Sequence, residues 1–127
     1  MKHEQDFSEI FHALKKVLGE YDPPSVAKID QDSRYELWST KEVVIVGRKR
    51  KEVYFAGLTI RRDYVGFYYM PVYTDAEKIK RVFKPELLST VKGKSCFYIR
   101  KVDDTLLAQI NEALSIGFEL YKKNGWV

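Results

Sequence analysis

The apolar residues near the N-terminus recur every three or four positions, which is the spacing of an amphipathic helix. Between residues 5 and 18 they are Phe7, Ile10, Phe11, Leu14, Val17 and Leu18. Gly19 follows directly, and glycine often ends a helix. The pattern predicts a first helix over 5–18.

The next stretch, YDPPSVAKIDQDS, has a different pattern. Pro23 and Pro24 disfavour helix before and within the pair, and the Asp and Ser residues that follow favour turns. We expect a connection about a dozen residues long, with one short turn of helix near 26–29.

Residues 34–73 are rich in Val, Ile, Tyr, Phe, Trp and Thr, which favour strands. Turn signals divide this stretch into four predicted strands, over 35–39, 42–46, 52–60 and 64–72, with the tight turn RRD between the last two. The short connections predict an antiparallel meander. GRKRKE, which carries four consecutive cations at 48–51, is then the exposed tip of a hairpin.

The C-terminal part of the chain predicts a helix, a strand and a second helix. Asp75 is expected to cap a short helix over 75–83, and Pro85 to end it or to open a further turn through Leu88. A strand is predicted over 95–102. Asp103 or Asp104 then caps a last helix. Its apolar face is formed by Leu107, Ile110, Leu114, Gly117, Phe118 and Tyr121.

This order of elements predicts an α+β fold, with an antiparallel sheet of about five strands and the N-terminal and C-terminal helices packed on one face. The chain has 127 residues, 45% of them hydrophobic, which predicts one domain over 1–127. It has no run of roughly 18 apolar residues, and its first residues do not have the pattern of a signal peptide. We therefore expect a cytoplasmic protein with no membrane partner.

The candidates for a catalytic group are weak. A hydrolytic triad would need His3 or His12 as its base. His3 is explained as a residue of the chain terminus, and His12 as a residue on the surface of the first helix. Cys96 is the only cysteine, and its place in a strand is typical of a small buried residue. No glycine pattern predicts a phosphate loop. We expect no catalytic residues and a protein that is not an enzyme, with an enzyme that lacks a known motif as the third alternative.

The first helix contains a candidate metal pair. Glu9 and His12 lie three residues apart, and Asp6 precedes Glu9 by three residues. Carboxylate-bridged di-iron sites use two such pairs, and the sequence has no second copy. An acidic helix N-terminus that opposes the helix dipole is the alternative interpretation.

The basic charge is concentrated in the middle of the chain. Residues 48–101 carry 14 Lys or Arg against 5 Asp or Glu, although the net charge of the whole chain is only +4. Ten of these cations are interleaved with Tyr54, Tyr64, Tyr68 and Tyr98, namely Arg48, Lys49, Arg50, Lys51, Arg61, Arg62, Lys92, Lys94, Arg100 and Lys101. These residue types could form a phosphate groove with stacking rings. A solvated turn whose charges keep sheet edges from pairing is the alternative.

Two short motifs resemble the YdhG-like family of small bacterial proteins. The first is AGLTIRRDYVGFYYM at 56–70, and the second is KGKSCFYI, in which Lys92, Gly93 and Phe97 have the spacing of the family. The resemblance implies an α+β fold likened to frataxin. Some relatives are described as iron chaperones, which would make Glu4, Asp6 and Glu9 candidate iron contacts. Apart from iron, no cofactor is implied.

The candidate ligand-binding residues are Tyr68, Met70 and Lys92. Strand alternation places Gly66, Tyr68 and Met70 on the sheet face opposite the helices, where Lys92 could supply a charge to an anionic group. The expected function is binding of a small ligand, a metal or a protein partner, with iron first and nucleic acid on a basic surface as the alternative. It also stays open that these side chains only cover the sheet or form a contact in a homodimer.

Overall fold

The computed structural model describes residues 6–45, 47–73, 77, 81, 83–93 and 95–127. The helices whose ends lie in these ranges are α1 (Phe7–Leu18), α2 (Pro85–Leu88) and α3 (Asp104–Lys123). Two 3-10 turns cover Gly19–Tyr21 and Met70–Tyr73. The predicted helix over 75–83 lies largely outside the described residues.

Within the described ranges, eight strands make one large sheet and one small hairpin. They are β1 (Val26–Asp30), β2 (Arg34–Ser39), β3 (Val43–Ile45), β4 (Arg48–Arg50), β5 (Val53–Ile60), β6 (Val65–Tyr69), β7 (Val91–Lys92) and β8 (Cys96–Ile99). The large sheet has six strands in the order β1-β2-β5-β6-β8-β7, all antiparallel. β3 and β4 pair only with each other among the described residues. The predicted α+β class is confirmed.

The prediction of a helical turn near 26–29 is wrong. These residues form β1, an edge strand in which Val26 pairs with Trp38 and Asp30 with Tyr35. The prolines before it do end the helical region, but Ala27, Lys28, Ile29 and Asp30 alternate apolar and polar residues, and the segment pairs with β2. Pairing with β2 therefore decides the structure of a segment that has no strong preference of its own.

Two further strands differ from the prediction. The cations 48–50 lie in β4 and not at a hairpin tip, and the turn comes earlier, at Gly47, whose φ of 74° suits glycine. The predicted strand over 64–72 ends at Tyr69. Pro71 lies in the 3-10 turn that follows, where its missing N–H costs no sheet hydrogen bond.

The core lies between one face of the large sheet and the two long helices. On β6, Val65, Phe67 and Tyr69 are fully buried on this side, as the alternation predicts. Helix α1 contributes Ile10, Phe11, Leu14 and Leu18 to the same core, and α3 contributes Leu106, Ile110, Ala113, Leu114 and Tyr121. The two long helices thus cover one face of the large sheet, and neither of them covers the opposite face.

Gly117 allows α3 to approach the end of β6 closely. A Cβ atom at this position would lie 2.5 Å from both the Tyr69 hydroxyl oxygen and Pro71 Cγ, well inside van der Waals contact. The Tyr69 hydroxyl donates to the Ala113 carbonyl oxygen at 2.5 Å, one turn earlier on the same helix. This contact fixes the position of β6 beneath α3.

Among the described residues, no helix is both long enough and apolar enough to cross a membrane.

Candidate ligand-binding site

The candidate site is the sheet face opposite α1 and α3, which we call the open face. Its side chains alternate with those of the core, so that β2 turns Tyr35 and Leu37 inward and Glu36 outward. The larger side chains with this orientation are Arg34, Glu36, Trp38, Tyr54, Tyr68, Cys96 and Tyr98. Most of them are half-buried, because they pack against one another across the strands.

Two glycines let tyrosine rings lie low on this face. A Cβ atom at Gly57 would lie 1.9 Å from the Tyr54 hydroxyl oxygen, and a Cβ atom at Gly66 would lie 3.0 Å from that of Tyr68. Gly57 and Tyr68 are direct neighbours on β5 and β6. The tyrosine side chains therefore occupy the space above backbone that carries no side chains, and they form a flat aromatic floor.

Trp38 and Tyr54 form a stacked pair at one end of this floor. They are cross-strand partners on β2 and β5, and their ring centroids are 4.8 Å apart with an interplanar angle of 18°. The Lys28 ammonium lies 5.2 Å from the centroid of the Trp38 ring and also forms an ion pair with Glu52. The stacked pair of β2 and β5 is thus also held by Lys28 of the edge strand β1, which Glu52 holds in turn.

Tyr64 and Tyr98 form a second stacked pair at the opposite end. Their centroids are 3.8 Å apart and their planes differ by 8°. Tyr98 is the β8 partner of Gly66, which places this pair beside the ring of Tyr68. Hydrogen bonding with Tyr98, together with a smaller effect of burial, raises the pKa of Tyr64, so its hydroxyl remains protonated at neutral pH.

Between the two pairs lies a polar area that we call the central depression, lined by Arg34, Glu36, Tyr54, Thr59, Arg61 and Tyr68. Arg34 donates from Nε and Nη2 to Glu36 Oε2 at 2.9 and 2.6 Å. Trp38 donates from Nε1 to Glu36 Oε1 at 3.0 Å. Glu36 therefore orients a cation and an indole ring at the same time, and its own charge is compensated by Arg34.

Arg61 is the cation of the central depression with no carboxylate partner among the described ion pairs. Its Nη2 lies 3.4 Å from the Tyr68 hydroxyl oxygen, a long hydrogen bond. Burial, with Glu36 as the second cause, raises the pKa of Tyr54, whose hydroxyl stays neutral at physiological pH. The depression thus combines one uncompensated positive charge with phenolic hydroxyl groups, which suits an anionic or polar ligand.

The three predicted ligand-binding residues lie in different environments. Tyr68 belongs to the floor of the open face, as the alternation of β6 predicts. Met70 is half-buried in the turn after β6, where strand alternation no longer determines its direction. Lys92 is exposed on the edge strand β7, paired with Cys96, which in turn pairs with Tyr68. Two strand spacings, or about 10 Å, separate the Lys92 and Tyr68 backbones. Tyr68 lines the central depression, whereas Lys92 does not.

Lys92 instead lines a second concavity, which we call the basic pocket. Its cations are Lys92, Arg100 and Lys101, and Tyr98 connects it to the open face. Glu86 and Asp103 also line it. Asp103 caps α3, because its Oδ1 accepts from the Leu106 N–H at 2.8 Å. Of the two predicted caps, Asp103 and Asp104, it is the former.

Two of the three predicted iron contacts, Asp6 and Glu9, lie at the start of α1. Asp6 is the N-cap, and its Oδ1 accepts from the Glu9 N–H at 2.8 Å, which already uses one carboxylate oxygen. His12 Nδ1 lies 2.9 Å from the Ser8 carbonyl oxygen on the same helix. In the part of the chain that the structure describes, no group of three or more His, Cys, Asp or Glu residues could hold a metal ion. Glu4 and His3 lie outside that part.

Cys96 lies half-buried on the open face beside Tyr68. Burial raises the pKa of its thiol, although Tyr68 and Arg61 act in the opposite direction. The thiol is thus not activated as a nucleophile at neutral pH.

The sequence interpretation missed Arg34, Glu36 and Trp38 as site residues. A signal was present, because Tyr35 and Leu37 lie two residues apart in RYELWS, a spacing that turns both to the core face of a strand. The other three residues must then share the opposite face. What the sequence could not provide was the pairing of β2 with β5, which brings them to Tyr54 and Tyr68.

Comparison of the chain with protein-family models, with curated proteins and with solved structures found no match. The resemblance to the YdhG-like family stays a prediction from two short motifs.

Proposed function

We propose that the protein is a non-enzymatic binding protein whose ligand lies on the open face of the sheet. The observation that carries this proposal is the aromatic floor around the central depression, formed by Tyr54 and Tyr68 over two glycines. Besides stabilising the sheet, the paired rings offer contact area to a planar ligand, and the arginines offer hydrogen-bond donors.

The chemistry of the face indicates the kind of ligand. Ring faces at Tyr54 and Tyr68 favour a planar group, and the uncompensated guanidinium of Arg61 favours an anionic one. Glu36 holds Arg34 and Trp38 in place by three hydrogen bonds before any ligand arrives. Such preorganisation lowers the entropic cost of binding.

Iron binding, which the resemblance implies, would rest on Asp6 and Glu9. A ferrous ion would have to share the Asp6 carboxylate with the cap of α1, and both residues are exposed. The open face has more side chains held in place by hydrogen bonds than the first turn of α1 has. We therefore place iron second, as a property of the first turn of α1 that is separable from the open face.

A titration with adenosine 5′-monophosphate tests the proposal, since this probe has one planar ring system and one phosphate. We expect saturable changes in the amide resonances of β5 and β6 in nuclear magnetic resonance spectra of the labelled protein. Arg61→Gln should weaken binding about tenfold, the loss expected for a charge-assisted contact. Arg62→Gln is the matched control, because Arg62 is exposed and does not line the central depression. Changes confined to α1, or none, would contradict the proposal.

A further inference from the structure

The aromatic residues of the open face form a row across the sheet. Trp38, Tyr54, Tyr68 and Tyr98 lie on β2, β5, β6 and β8, which are neighbours in this order. Across the strands, the first and the last are three strand spacings apart, about 14 Å. The register offsets them further along the strands, since Trp38 pairs with Tyr54 whereas Tyr98 pairs with Gly66, the partner of Thr59. The row is longer than one nucleobase and offers ring surface at successive positions, as surfaces that bind unpaired bases do.

One end of this row adjoins a basic hairpin, formed by β3 and β4. The hairpin connects the end of β2 to the start of β5, directly beside Trp38 and Tyr54. All three β4 residues, Arg48, Lys49 and Arg50, are exposed. The opposite strand is anchored, because Val43 and Ile45 are half-buried against the core. The cations are therefore presented on an ordered support.

The other end of the row enters the basic pocket. Tyr98 lines this pocket together with Lys92, Arg100 and Lys101, all three of which are exposed. Arg34 and Arg61 lie between the two ends, in the central depression. Exposed cations thus lie next to both ends of the aromatic row and in the central depression, too far apart for one phosphate group to contact them all.

We infer that the ligand of the open face is a single-stranded nucleic acid, which crosses the strands from the basic hairpin to the basic pocket. This inference rests on the proposed function and names its ligand class. Bases stack on the tyrosine rings, and successive phosphates contact the cations at the two ends and at Arg61. A duplex does not fit this arrangement, because its bases are already stacked and cannot reach the floor.

The test compares decauridylate, decathymidylate, a decamer RNA duplex and adenosine 5′-monophosphate by fluorescence anisotropy and competition, at 50 and 200 mM salt. We expect the single-stranded decamers to bind at least about tenfold more tightly than the mononucleotide and the duplex. Their affinity should fall steeply with salt, by a logarithmic slope of about 0.7 for each phosphate contacted.

Variants test whether the decamers bind along the aromatic row of the open face. Tyr68→Leu should weaken binding of the decamers about tenfold, and Tyr68→Phe, which keeps the ring, much less. Replacing Lys49 and Arg50 with glutamine should reduce the salt slope. Replacing Lys92 and Arg100 with glutamine should do the same. The pair Lys122→Gln and Lys123→Gln, exposed at the end of α3, is the matched charge control.

The possible failures are distinguishable. If the mononucleotide binds the open face as tightly as the decamers, the inference is overturned and the proposed function survives. If the decamers bind but Tyr68→Leu has no effect, attraction by charge alone explains binding and the inference is likewise overturned. If neither probe shifts the resonances of β5 and β6, the proposed function fails as well.

Discussion

The hydroxyl group of Tyr54 fills the space above Gly57, where any other residue would place its Cβ atom 1.9 Å from the phenolic oxygen. The two residues lie three positions apart on β5, and the ring is held from the side by Trp38. The shape of the open face thus depends on Gly57, which contributes no side chain to it. This relationship leads to the first of five predictions.

Gly57→Ala should displace Tyr54 and destabilise the protein. Forcing one methyl group into this contact should lower the free energy of unfolding by about 1–3 kcal/mol, the usual cost of overpacking. Equilibrium denaturation with urea measures the change. Tyr54→Phe removes the colliding oxygen, so the double variant should recover much of the loss. A double variant as unstable as the sum of the two single ones would contradict this origin of the strain.

Gly117→Ala should be destabilising although alanine favours helix. The added methyl group would collide with both the Tyr69 hydroxyl and Pro71, so α3 would have to move away from β6. We expect a loss of about 1–3 kcal/mol in unfolding free energy, greater than the gain of roughly 1 kcal/mol in helix propensity. Glu119→Ala, at an exposed site on the same helix, is the control. A Gly117→Ala variant more stable than the wild type would show that the approach is not tight.

Asp6→Ala should destabilise α1 by about 1 kcal/mol through loss of its N-cap, whereas Asp6→Asn should have little effect. The same pair of variants separates capping from metal binding, because asparagine keeps the cap but removes the negative charge. Anaerobic titration of the wild type and of Asp6→Asn with Glu9→Gln by ferrous iron then tests the iron proposal. If the wild type does not bind ferrous iron saturably, the iron proposal fails.

The protein should lose stability progressively above about pH 10. Burial raises the pKa of Tyr69 and Tyr121, and it raises that of Tyr35 to about 12. Because these pKa values are higher in the folded than in the unfolded state, their stabilising contribution is complete below pH 10. It is lost as the pH rises towards the folded values, by about 1.4 kcal/mol per pH unit for each tyrosine.

Urea denaturation between pH 8 and pH 11.5 measures this slope. Tyr69→Phe removes one titrating group and should reduce the slope above pH 10 by about 1.4 kcal/mol per pH unit. The variant should also be less stable at neutral pH, because its hydrogen bond to the Ala113 carbonyl is lost. An unchanged alkaline slope would mean that Tyr69 ionises normally.

Glu36→Gln should strengthen the binding of anionic ligands on the open face. Glutamine can keep the acceptor for the Trp38 indole N–H, but it no longer compensates the charge of Arg34. We expect adenosine 5′-monophosphate to bind roughly tenfold more tightly, as expected for one additional charge-assisted contact. A competition titration measures the ratio, and Glu52→Gln, whose partner is Lys28, serves as the control. Weaker binding would assign Glu36 a direct role in ligand contact.

The sequence predicted those parts of the fold that local pattern determines. The apolar spacing of α1 and α3 and the alternation of β2, β5 and β6 each indicate an element and its buried side. β1 was missed because its residues have no strong preference until β2 pairs with them. β7 has only two residues, too few for any periodic signal.

The candidate site was predictable only in part, for a related reason. Tyr68 follows from the alternation of its own strand, whereas Arg34 and Trp38 join it only through the strand order β2-β5-β6. Strand order depends on contacts between distant residues, which one sequence does not contain. The same holds for the low position of Tyr54, which depends on three residues in β2 and β5 together.

The basic hairpin has a particular position in the topology. β2 and β5 pair directly with each other, so β3 and β4 interrupt no pair of the large sheet. Apart from Val43 and Ile45, which pack against the core, the sequence between Ser39 and Val53 can therefore change in length or charge without shifting the register of any neighbouring strand. Related chains could vary this segment freely, and so acquire a different reach or a different partner, while the floor beside it stays the same.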